Sequence, residues 1–229
     1  MSVHRVCLLF LLACEPLWGQ QPIVKAPGEP KNLYAVKQEL IKYHECDQPN
    51  CYGPQLERQA DVAIAFLKKS VVDAKPKEKL AIVLDIDETA LSNWPVETLD
   101  DFAYIPNDQQ WCVSLHCARA IAATLRIFHE AEKLKVAVFF ITGRPEAQRK
   151  DTEINLHIEQ YDHWEKLYLR PVNHPANQSV ADYKSGIRAE ILSQGYRIVL
   201  NVGDQMSDLA GSPMADHSVK MPNPFYYIP

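Results

Sequence analysis

A basic surface is the first thing this chain of 229 residues lacks. Its formal net charge is −5 and its pI near 5.9, which argues against non-specific nucleic-acid binding. After the N-terminus there is no run of 18 apolar residues, so no internal membrane span is expected. Internal repeats and low-complexity tracts are absent, which excludes solenoids and arrays. The eight histidines show neither zinc-protease nor cupin-like spacing, and none is assigned to a site. What remains is 47% hydrophobic residues, enough for a substantial core, and the length suits one domain, alone or with a modest appendage.

The N-terminus reads as a targeting segment, residues 1–19. His4-Arg5 is followed by a short apolar run, Val6 to Ala13, suited to a signal sequence and too short to cross a bilayer. Two cleavage sites compete. Leu11-Leu12-Ala13-Cys14 resembles a bacterial lipobox, which would leave Cys14 as a lipid anchor. The other lies near Gly19, with an ill-matched Leu17 at −3. Both imply export: periplasmic, outer-membrane lipoprotein or secreted. Residues 20–32 are Pro-rich and polar, a linker. Asn177-Gln178-Ser179 matches a glycosylation sequon, relevant only in a eukaryotic secretory pathway.

Export makes the cysteines interpretable. Beyond Cys14 stand Cys46, Cys51, Cys112 and Cys117, two Cys-x4-Cys pairs, and an even count in an oxidising compartment suggests disulfides. Three connectivities are open. Cys46–Cys51 is the simplest, because Pro49-Asn50 can turn the loop. Cys112 and Cys117 are expected on a helix, where that spacing does not bring side chains face to face. Zinc is the weaker alternative, for want of a histidine pair.

The chain then alternates helices and buried strands. Helices are expected over residues 33–45 and 54–72, the second from its spacing of Leu56, Ala60, Ala63, Leu67 and Val71. Residues 93–111 have no clear period but are rich in aromatics, among them Trp94, Phe102, Tyr104 and Trp111, which either cover the core or line a substrate pocket. A long helix is expected over 113–135, and further helices over 146–160 and 181–194. Apolar strands are expected over 81–84, 136–141, 166–169 and 197–202, with a short last one over 217–220. This alternation implies a parallel sheet covered on both faces.

Three of these strands end in polar groups. Ala81 to Leu84 runs into Asp85-Ile86-Asp87, Ile141 into Thr142, and Val202 into Gly203-Asp204. Lys184 stands near the start of a helix. Strand ends of a parallel sheet share one edge, where such sheets place their ligands, so these groups converge whatever the strand order. Alone, each has a plain structural explanation: a helix cap, a surface lysine, a turn. Two carboxylates at i, i+2 repel unless a cation or proton lies between them.

The set Asp85-Ile86-Asp87-Glu88-Thr89, Ile141-Thr142-Gly143-Arg144, Lys184-Ser185 and Gly203-Asp204-Gln205-Met206-Ser207-Asp208 resembles the four motifs of the haloacid dehalogenase-like superfamily. Leu91-Ser92-Asn93 and the C-terminal Pro222-Asn223-Pro224-Phe225-Tyr226-Tyr227 narrow it to the class B-like acid phosphatases. That branch includes plant acid phosphatases, vegetative storage proteins and bacterial lipoprotein phosphatases. The resemblance covers about residue 33 to the C-terminus. It implies a Rossmann-like three-layer α/β core with a small helical cap, formed by the N-terminal helices and part of 93–112. It also implies an exported, Mg²⁺-dependent phosphomonoesterase acting on small phosphate esters, nucleotides or aryl phosphates being candidates. Asp85 would be the nucleophile and Asp87 the acid and base, the latter absent from dehalogenases. Thr142 and Lys184 would bind phosphoryl oxygens. Asp85, the Asp87 backbone carbonyl and Asp204 would hold Mg²⁺, with Asp208 a ligand or an outer group. Arg144 and Arg188 are read equally as substrate contacts or structural ion pairs. The rivals are a phosphotransferase using the same aspartyl phosphate and a non-enzymatic surface or storage protein.

Overall fold

The computed structural model describes residues 27–175 and 177–228. The expected signal segment and Cys14 lie outside them. Two compact units divide the chain, 1–32 and 33–229. Of the first, only 27–32 are described, exposed residues with a turn at 27–28.

The second unit is built on five parallel strands, β1 (Lys79–Leu84), β4 (Ala137–Pro145), β5 (Lys166–Arg170), β6 (Tyr196–Gly203) and β7 (His217–Lys220), in the order β5-β4-β1-β6-β7. The register pairs Leu84 with Phe140 and with Val202. The central strand is therefore β1, whose C-terminal end opens between its two neighbours.

Alternation along these strands feeds two apolar layers. Ile82, Leu84, Val138, Phe140, Leu200 and Val202 face a core closed by α2 (Tyr52–Val72) and α5 (Ala122–Lys133). Ala81, Val83, Phe139, Ile141 and Ile198 face the other side, closed by Tyr183 and Ile191 of α7 (Val180–Ser193). The expected three-layer α/β fold is present. α2 packs Leu56, Ala60, Ala63 and Leu67 into the main core and so forms part of the core layer. Outside that layer stand α1 (Leu33–Glu45), α3 (Trp94–Leu99) and α4 (Pro106–Ser114). No helix among the described residues is long and apolar enough to cross a membrane.

The stretch between β1 and β4 departs most from expectation. Residues 93–111, read as irregular, carry the two short helices α3 and α4, both with Pro in the first turn. The long helix expected over 113–135 is broken. α4 ends at Ser114 and a disulfide joins Cys112 to Cys117. β3 (Arg119–Ala120) then pairs with β2 (Leu91–Ser92), and only afterwards does α5 start. Ala118 and Ile121 are buried as their apolar character requires, but as extended chain entering α5. The second disulfide, Cys46–Cys51, staples α1 to the start of α2.

Two of the four aromatics in this stretch serve packing. His44 of α1 stacks on Trp94 at 3.6 Å and 5°, and Trp94 also meets Phe102 and Phe225. Burial in that stack lowers the His44 pKa to about 4. Tyr104 and Trp111 point outward, 80% and 52% exposed.

Candidate active site

The C-terminal ends of β1, β4 and β6 bring Asp85, Thr142 and Asp204 to one edge of the sheet, all buried. Lys184 reaches them from the second turn of α7, a helix started by Ser179, whose hydroxyl accepts the Asp182 N–H. Its Nζ donates to Asp85 Oδ1 and to Asp208 Oδ1, each at 2.5 Å. Burial opposes the lysine's charge, but Asp208 and Asp85 outweigh it and its pKa is raised.

Asp85, Asp204 and Asp208 form the acidic centre. One oxygen from each lies within 4.8 Å of the others. Burial pushes the Asp85 carboxyl up, opposed by Lys184, and Asp208 and Asp204 push it further. Asp204 is raised by burial and by Asp208, against hydrogen bonds from Asn223 and Gln205. Three buried carboxylates facing one lysine are an oxygen-rich, negatively charged cradle that fits a hard divalent cation. Two of these carboxylates, Asp204 and Asp208, are also held from behind. Asp204 Oδ1 accepts the Thr89 hydroxyl at 3.0 Å, and Oδ2 accepts the side-chain amides of Gln205 and Asn223, both at 2.7 Å. Asp208 Oδ2 accepts the Gln205 N–H at 2.8 Å, closing a capping box on α8 (Met206–Leu209).

Asp87 belongs to a different network. Its carboxylate is gripped by Arg144, from Nε at 3.1 Å to both oxygens and from an η nitrogen at 2.7 Å, and by Asn93 Nδ2 at 2.8 Å. Burial alone would raise its pKa; Arg144 and Asn93 more than offset that and hold it below the usual carboxylate range. Its side chain is therefore not in the acidic centre. Thr142 accepts the Arg144 N–H at 3.1 Å, which ties the β4 motif to that grip.

The two arginines have separate fates. Arg144 pairs with Asp87. Arg188 is fully buried and, among the described residues, pairs with no carboxylate; it donates to the carbonyls of Pro213 (2.8 Å), Asp208 (2.9 Å), Gly211 (3.3 Å) and Ala210. It clamps the loop behind Asp208.

The supports Thr89, Asn93, Gln205 and Asn223 do not stand out in the sequence. Their signal was present, since all four lie in the quoted motif stretches, but short polar residues in turns carry no chemistry of their own. The C-terminal tail was also quoted without a role. It lies along the acidic centre, with Asn223 on Asp204 and the Ile228 N–H on Gln205 Oε1 at 3.1 Å. Burial and the Asp204 and Asp87 charges raise the Tyr226 phenol.

Residues 30–229 match the family described as HAD superfamily, subfamily IIIB (Acid phosphatase). The chain belongs to that family. The phosphatase is 36% identical to Acid phosphatase 1 of Solanum lycopersicum over 185 residues, 77% of this chain and 69% of the tomato protein. Stem 28 kDa glycoprotein of Glycine max is 34% identical over 72% of this chain, which spans 65% of the soybean protein. Vegetative storage protein 1 of Arabidopsis thaliana is 30% identical over 64% of the chain and 55% of its own length. Among solved structures, the class C acid phosphatase from Bacillus anthracis superposes with a TM-score of 0.69 at 20% identity, over 85% of this phosphatase and 86% of that chain. At that identity the likeness is one of fold.

Proposed function

We propose that the protein is an exported phosphomonoesterase that works through a phosphoryl group carried on Asp85. The observation that carries this is the pairing of Lys184 with Asp85 and Asp208 beside Asp204. A carboxylate held beside an ammonium group, at the edge of the central strand, is a nucleophile with its charge partner in place. The phosphoryl oxygens would be bound by Lys184 and by the Thr142 hydroxyl, which accepts from Arg144 and so keeps its proton to donate.

Asp87 would protonate the leaving oxygen and then take a proton from water. Its grip by Arg144 suits the second role, since a depressed pKa keeps it ionised. For the first it must hold a proton. An incoming phosphate dianion opposes Arg144 and raises the proton affinity of Asp87, and acidic medium favours the same state. Mg²⁺ would be held by Asp85, Asp204 and Asp208 with the Asp87 backbone carbonyl, and would neutralise charge on the phosphoryl oxygens. Substrates are small phosphate monoesters. Export is supported by the two disulfides and the signal-like N-terminus.

The test is hydrolysis of p-nitrophenyl phosphate with Mg²⁺ and after chelation, followed by acid quench and peptide mapping of labelled protein. Activity lost on chelation, restored by Mg²⁺ and accompanied by label on Asp85 is expected. Full turnover in Asp85→Asn, or label elsewhere, would overturn the assignment. Complete absence of turnover would favour a storage role, the one named for the Arabidopsis relative.

A further inference from the structure

Asn93 is buried, 5% exposed, and makes two directed hydrogen bonds from one residue. Its side-chain Nδ2 donates to Asp87 Oδ1 at 2.8 Å, and its backbone N–H donates to Glu88 Oε1 at 2.5 Å. Glu88 is itself fully buried and lies between three elements. Its Oε2 accepts the Tyr52 hydroxyl from the start of α2 at 3.2 Å and the Ser92 hydroxyl from β2 at 3.3 Å. Its backbone sits at φ +52°, a left-handed conformation that costs a non-glycine residue energy. Such a conformation persists where the surroundings over-determine it, often beside functional groups.

We infer that Asn93 is a positioning residue for Asp87, held in place by the buried Glu88 carboxyl. The inference rests on the function proposed above, in which Asp87 handles the proton. Arg144 fixes Asp87 from the β4 side; Asn93 fixes it from the α3 side. With Arg144 alone, the carboxylate could turn about that pair and remain ionised yet misdirected. Asn93 supplies the second fixed point through a neutral amide, whose hydrogen bond also favours the ionised carboxylate but adds no second positive charge. Glu88 holds the bracket by its backbone end, so the amide cannot swing away with α3. Tyr52 ties the assembly to α2, a helix of the core layer.

A misplaced general acid is felt most where the leaving group needs its proton. Asn93→Ala and Glu88→Leu are therefore compared with wild type and with Asp87→Asn on two substrates, p-nitrophenyl phosphate and glycerol phosphate. The readout is the ratio of kcat/KM between them. Asn93→Ala should lose about tenfold or more on glycerol phosphate beyond its loss on the aryl ester, the scale expected for a displaced catalytic group, with the Mg²⁺ requirement unchanged. Glu88→Leu should move the ratio the same way, and the double variant should lose less than the two single losses combined, because both act through one hydrogen-bonded path. If Asp87→Asn shifts the ratio and Asn93→Ala does not, the positioning role is refuted while the proposed function stands. A ratio unmoved in Asp87→Asn itself refutes the proton-transfer role of Asp87, and the inference with it. Should Glu88→Leu fail to fold, Asn93→Ala decides. Asn93→Ser, with a hydroxyl too short to reach the carboxylate, replaces Asn93→Ala if that variant is unstable.

Discussion

Gly203→Ala should cripple the acidic centre without replacing any of its charged groups. A methyl group at Gly203 would lie 2.4 Å from Asp208 Cβ, 2.6 Å from its Oδ2 and 2.8 Å from its Cγ. Carbon atoms sit comfortably at ~3.5–4.0 Å, so Asp208 or the β6 end must move by about 1 Å. Little slack is available. Asp208 is pinned on one oxygen by Lys184, on the other by the Gln205 N–H, and through its carbonyl by Arg188. Overpacking of this kind costs about 1–3 kcal/mol of stability. The larger effect falls on function, because a displacement near 1 Å at a catalytic constellation can reduce turnover ~100-fold. Thermal unfolding should therefore show a modest loss while p-nitrophenyl phosphate turnover falls far more and the Mg²⁺ concentration for half-maximal activity rises. Near-normal turnover and Mg²⁺ response in a folded Gly203→Ala variant would refute the claim that Asp208 must stand where the glycine lets it stand.

Two further outcomes follow from the arginines. Arg144→Met removes the charge that depresses Asp87, so the Asp87 pKa should rise; the falling limb of kcat against pH, where Asp87 loses its proton, should move to higher pH, and an unmoved or lowered limb contradicts the pairing. Arg188→Met leaves the carbonyls of Asp208, Ala210, Gly211 and Pro213 without their buried donor and should lower stability by about 3 kcal/mol in urea unfolding; a loss under ~1 kcal/mol would mean that the clamp contributes little.

Much of the site was legible because each motif is local. Asp85, Thr142 and Asp204 follow apolar strands directly, and a parallel sheet gathers strand ends whatever their order. The helix over 54–72 and the strands at the sheet centre were readable for the same reason: their apolar spacing lies within a few residues. Residues 93–135 were not. Residues 93–111 have no clear period and residues 113–135 suggested one long helix, yet two short helices fill the first part, and a disulfide, a two-residue strand pairing and the start of α5 divide the second. Those constraints come from Leu91, Ser92 and the second cysteine of a pair, partners that a local window does not weigh together.

Sequence by itself thus determined the fold class and the residues that gather at the sheet edge, since both depend on near neighbours along the chain. Tertiary structure alone decided how those residues divide. Lys184 went to Asp85 and Asp208, while Arg144 and Asn93 took Asp87. It also assigned Arg188 to backbone carbonyls and placed α2 in the core layer. Hydrogen-bond partners far apart in the chain are chosen by distance and direction in three dimensions, and residue type specifies neither.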